Sequence, residues 1–157
     1  MNISSPVFSP HSPIPSTYTC DGDNVNPPLI FENIPTHTKS LVLIMEDPDI
    51  PQEIKNIRNI DVFDHWVIFN IPPHTTSIDE AEPIGTLGKN SNEQLSYTGP
   101  CPPPQYKPTT HRYFFKLYAL DTIFDLHAGI SKDELLHAMD THIIDTTELI
   151  GTYDRSN

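Results

Sequence analysis

Three apolar stretches of this chain begin or end at groups able to do acid–base or anion-binding chemistry. The run Leu41–Met45 stops at Asp47-Pro48-Asp49-Ile50-Pro51, the stretch "FDHWVIFN" opens with His65 beside Trp66, and "HRYFFKLYAL" opens with His111-Arg112-Tyr113. One carboxylate and two imidazoles can orient and charge one another, donate to phosphate oxygens, move protons or bind a metal. Taken singly, each is an ordinary strand-end residue. Taken together, with proline-stiffened backbone at two of the three segments, they read as a preorganised pocket. A metal is the weakest of these readings, because no HxD or HExxH pairing anchors one. Covalent hydrolysis lacks its nucleophile: no GxSxG occurs, and Cys101 lies between prolines with no helix N-terminus to activate it. Asp47 attack on a phosphoryl group would need Mg²⁺ and a cationic clamp, and the nearest lysine in sequence is Lys107.

The elements that must position these residues follow from the hydrophobic pattern. Leu41–Met45 is continuous and β-branched enough for a strand buried on both faces. The stretch 63–73 alternates, which sets His65, Val67 and Phe69 on one face and Trp66, Ile68 and Asn70 on the other. The stretch 111–120 places His111, Tyr113, Phe115, Leu117 and Ala119 together, opposite Arg112. Further strands are expected at 28–35 and 148–155, with short ones at Val7–Phe8 and Tyr18–Thr19. Residues 52–61 read as a loop or a helical turn. Ser131 and Glu134 form a capping box, followed by Leu135, Met139, Ile143 and Thr146 on one helical face. The fold class is mostly β: a sandwich of two antiparallel sheets with one or two short helices, the clearest near 131–146. Residues 1–157 read as a single domain.

Composition narrows the partners. A net charge of −12 disfavours nucleic acid and anionic membrane surfaces. No run approaches the roughly 18 apolar residues of a membrane span. The first twenty residues lack the basic start and apolar core of a signal peptide, so a cytoplasmic protein is expected. There are 17 prolines, about twice ordinary usage. Pro100, Pro102, Pro103, Pro104 and Pro108 fall just before His111, which holds that loop in one shape and lowers the entropy cost of binding.

Five motifs resemble the phosphatidylethanolamine-binding protein family, in its bacterial and archaeal Raf-kinase-inhibitor-like branch: "YTCDGDNVNPPLIF", DPDxP, "DHWVIFN", "GPCPP" leading to "HRYFFKLYALD", and "ELIGTYDR". They span nearly the whole chain in order. The resemblance implies a β-sandwich with a small pocket for phosphate-like anions and phosphorylated head groups. It carries ligand-binding roles onto Asp47, His65, Gly99, Pro100, His111 and Tyr113, with both histidines as candidate donors. Asp49 and Arg112 are read as structural, either ion-paired or, for Arg112, solvated. The expected function is non-catalytic binding of a small phosphorylated or anionic ligand. The alternative is contact inhibition of a kinase or protease, with the pocket as a regulatory site. No cofactor or metal is expected, and a homodimer is left open. Two features depart from the family pattern: Thr98 stands where a glycine is usual, and "PPQYKPTT" lengthens the loop, so the pocket rim must take another shape. Cys20 and Cys101 occupy cysteine positions recurrent in this branch. They are expected to be neighbours and, in a reducing compartment, free thiols.

Overall fold

The computed structural model describes residues 1–155. Among these residues eight strands form the two antiparallel sheets expected: β1 (Asn2–Ser4), β2 (Leu29–Glu32), β3 (Ser40–Asp47), β4 (Phe63–Ile71), β5 (Ser77–Ile78), β6 (Thr86–Leu87), β7 (Thr110–Leu120) and β8 (Ile143–Asp154), of which the sequence pattern marks neither β1, β5 nor β6. The large sheet has the order β6-β4-β3-β7-β8 and the small one β1-β2-β5. Two helices, α1 (Gln52–Arg58) and α2 (Lys132–Met139), complete the chain.

The centre of the large sheet is covered on both sides. Leu41, Leu43 and Met45 of β3 face the small sheet, in a core that includes Leu29, Phe31, Trp66, Ile68, Phe115 and Leu117. Val42 and Ile44 face the other way, against Val67, Phe69, Leu135 and Met139. This is why β3 reads as an unbroken apolar run. At the outer face Lys132 bridges Glu46 and Asp64, while Lys116 takes the other oxygen of Glu46. The start of α2 is thereby pinned across β3 and β4.

Four expectations need correction. Val7–Phe8 is not a strand, and Tyr18 belongs to a single turn of 3-10 helix, Ser16–Tyr18. Helix α2 stops at Met139, so Ile143 and Thr146 are not on its face; they begin β8, which pairs with β7 along its whole length. The segment Thr141–Thr147 is rich in β-branched residues, and pairing with β7 outweighs the helical spacing. Strict alternation in β4 also fails. Met45 pairs with Trp66, but Glu46 pairs with Asp64, leaving His65 as the extra residue of a β-bulge.

The capping box forms as the sequence implies: Ser131 Oγ accepts from Glu134 N, and Glu134 Oε2 accepts from Ser131 N. Replacing Ser131 by Ala is expected to cost about 1 kcal/mol in urea unfolding and to leave the strand signal in circular dichroism unchanged.

Candidate ligand-binding pocket

The site lies where β3, β4 and β7, adjacent in the large sheet, present their ends on the inner face. Asp47 closes β3, His65 lies near the start of β4 and His111 near the start of β7. Asp47 and His111 reach this face by ordinary alternation from Met45 and Tyr113. His65 reaches it through the bulge, which turns it from the Val67 side to the Trp66 side. There it packs edge-on against the Tyr113 ring at 5.2 Å and beside Phe63 at 4.7 Å.

The three groups are wired by hydrogen bonds. Asp47 Oδ1 accepts from the backbone N–H of Asp49 at 2.7 Å, and Asp47 Oδ2 accepts from His111 Nδ1 at 2.7 Å. The Asp47 and His111 side chains are 3% and 1% exposed, so this bond is dry and short. Because Nδ1 carries the shared proton, Nε2 of a neutral His111 is an acceptor, and Nε2 of a doubly protonated His111 is a donor. That atom is buried and has no partner among the described residues. His65 Nδ1 donates to the Thr98 carbonyl at 2.6 Å.

The proline loop makes one wall. Gly99 is required by space: a Cβ there would lie 2.5 Å from the Tyr18 carbonyl oxygen and 2.8 Å from Thr19 Cα. Its N–H donates to Asn24 Oδ1 at 2.8 Å, the Pro100 carbonyl accepts from Cys20 N, and the Tyr97 hydroxyl donates to the Tyr18 carbonyl. Cys20 and Cys101 form a disulfide. The two are neighbours, as the motif positions imply, but they are not the free thiols expected of a reducing compartment. Their covalent bond occupies the nearest candidate nucleophile.

Together these walls enclose a cavity of about 280 Å³. Asp47, His65, Gly99, Cys101 and His111 line it, with Pro102 and Pro103 on the loop side and Ile50, Pro51, Ile54, Arg58 and Phe63 opposite. Tyr113 and Pro100 are not on its surface. Tyr113 lies behind the two imidazoles, fully buried, with burial pushing its phenol up and its hydroxyl without a partner among the described residues. Asp49 and Arg112 stand outside, joined by a two-pronged ion pair with both contacts at 2.8 Å. The guanidinium hydrogen bonds hold the Asp49 carboxyl below the usual carboxylate range. Among the described residues no group of three His, Cys, Asp or Glu side chains is placed to hold a metal.

Sequence reasoning missed Arg58, the cation on the cavity wall. It bonds to the Ser91 carbonyl and to Asn92 Oδ1, and it lies 5.1 Å over the Phe63 ring. The signal was the i, i+4 spacing of Ile54 and Arg58, legible only once 52–58 is known to be a helix.

The sequence model of the phosphatidylethanolamine-binding protein family matches residues 4–154. A UPF0098 protein of Methanothermobacter thermautotrophicus is 46% identical over 99% of both chains, and one of Chlamydia pneumoniae is 41% identical over 99% of this chain and 100% of its own. The crystal structure of CT736 from Chlamydia trachomatis, a phosphatidylethanolamine-binding protein homologue, superposes with a TM-score of 0.89 at 41% identity, covering 98% of this chain and 96% of that one. Escherichia coli YbcL shares the fold at a TM-score of 0.83 and 23% identity, with 97% and 96% covered. The chain is thus a β-sandwich with a pocket at one end of its larger sheet. It belongs to the phosphatidylethanolamine-binding protein family, with relatives in bacteria and archaea.

The two imidazoles differ in one measurable way. Burial holds His65 down at about 4, against a reference histidine value of 6.5. The unfolded chain therefore takes up this proton first. Folding loses stability as pH falls from about 6.5 through about 4, by on the order of 3 kcal/mol, and pays nothing above that window. Urea midpoints measured across that range should fall more steeply for the parent than for His65→Gln. Parallel profiles would contradict the burial argument.

Proposed function

We propose that the protein binds a small phosphorylated or otherwise anionic ligand in this cavity and does not turn it over. The observation that carries the reading is His111, a residue of the cavity lining whose buried Nε2 has no partner among the described residues and whose other ring nitrogen is fixed by Asp47. Such an atom is costly unless something in the cavity satisfies it. When His111 is doubly protonated, Nε2–H donates to an anionic oxygen and Asp47 balances the imidazolium charge. Arg58 supplies a second positive group on the opposite wall. His65 has a different part. It stays neutral down to about 4, so it shapes the pocket and accepts a proton-bearing group rather than supplying positive charge. This narrows the pair of donor histidines expected from the motifs to one. The walls between the polar groups are apolar, which suits a phosphomonoester or sulfonate with a short organic group.

Holding rather than breaking the ligand follows from what the wall contains. Cys101 is oxidised, and the Asp47 oxygens are taken by His111 and the Asp49 amide. While these bonds hold, neither the Cys101 sulfur nor the Asp47 carboxylate is free to attack as a nucleophile.

Titration calorimetry with phenylphosphonate and benzenesulfonate tests the reading. Replacing His111 by Phe in a folded protein is expected to weaken both at least about tenfold, the usual worth of a hydrogen bond to a charged group. Unchanged affinity for both ligands in a folded His111→Phe protein would overturn the site.

A further inference from the structure

The disulfide stands at a place where its chemistry reaches the cavity. Cys101 lines the cavity wall and Cys20 belongs to the turn that backs it. Both cysteines are exposed. Arg155 bonds to the Cys101 sulfur, with its Nη1 3.5 Å from Sγ. The guanidinium is held there by Asp21, the neighbour of Cys20, through Nε at 3.0 and 3.1 Å and through Nη2 at 2.9 Å.

The wall is anchored unevenly on the two sides of Cys101. Before it, Tyr97, Thr98, Gly99 and Pro100 each make a hydrogen bond to the body of the protein. After it, among the described residues, the one hydrogen bond of segment 102–109 runs from Tyr106 N to the Pro103 carbonyl within the segment. The disulfide is therefore the last firm tie before β7, and it precedes Pro102 and Pro103, which form part of the cavity wall.

We propose that Cys20–Cys101 is a thiol-exchange site for a small dithiol reductant, and that its reduction frees the 102–109 wall of the cavity. One thiolate of the dithiol attacks Cys20 Sγ. A bond forms between those two sulfurs as the Cys20–Cys101 bond breaks, and the electron pair leaves on Cys101 Sγ beside the Arg155 guanidinium. A cation there stabilises the departing thiolate and so directs the attack to Cys20. The second thiolate of the dithiol then attacks its own sulfur in the mixed disulfide and displaces Cys20. The dithiol is oxidised to a cyclic disulfide. Cys20 and Cys101 are reduced, and take up the two protons the dithiol gave up. The inference concerns the mobility of the wall and does not depend on which ligand the cavity holds.

The test uses the full chain and dithiothreitol under native conditions. Thiols are counted by alkylation and mass, the fold is followed by fluorescence of buried Trp66, and the wall is probed by chymotryptic cleavage after Tyr106. The expected result is reduction with Trp66 emission unchanged, cleavage after Tyr106 faster by about tenfold in the reduced parent and in Cys20→Ser, and recovery on reoxidation. Arg155→Gln should be reduced at least about threefold more slowly. The proposal is overturned if the bond opens only as Trp66 becomes exposed, if cleavage is the same in both redox states, or if Arg155→Gln is reduced as fast as the parent.

Discussion

The hydrogen bond between Asp47 Oδ2 and His111 Nδ1 is the interaction on which the site depends. It joins two strands that are neighbours in the sheet but 64 residues apart in the chain. Burying a carboxylate is expensive unless each oxygen is satisfied, and here the second oxygen takes the Asp49 amide. Pro48 and Pro51 fix the turn that brings that amide into place. The Asp49–Arg112 ion pair then ties the same turn to the backbone of β7, through a bond from Arg112 N at 3.0 Å. The outer pair is thus a brace for the inner one, and the orientation of the His111 ring follows from both.

The same logic explains why the cavity is built mainly from constraints other than side-chain contact with a ligand. The bulge at His65 turns one imidazole inward, and the Thr98 carbonyl fixes its tautomer. Tyr113 holds the two rings apart from behind, contacting both. Gly99 lets the proline loop approach the 16–24 turn within a distance that any side chain would prevent. Each of these residues positions a group it does not itself present, so substitutions at them are expected to act through the shape of the cavity.

Much of this was legible in the sequence, for identifiable reasons. The doubly buried β3 and the alternating β7 follow from hydrophobic pattern, and the start of α2 from its capping box. The positions of Asp47 and His111 follow from strand ends bounded by proline. The orientation of His65 was not legible, because a bulge depends on pairing between strands and leaves no mark in one strand's own alternation. The end of α2 was misread because Leu135, Met139 and Ile143 keep helical spacing while the β-branched residues after Thr141 find a partner in β7. Arg58 was invisible as a wall residue until α1 was seen to pack beside the pocket. The disulfide was misjudged because the oxidation state was inferred from compartment, whereas proximity was inferred correctly from the motifs.

The most direct measurement is the protonation pattern of His111 by nitrogen-15 NMR of the imidazole ring, with and without phenylphosphonate. The account predicts that neutral His111 carries its proton on Nδ1, and that ligand addition converts Nε2 from an unprotonated to a protonated nitrogen while His65 remains neutral. A proton on Nε2 of the neutral ring, or a His111 spectrum that ligand binding leaves unchanged, would contradict it.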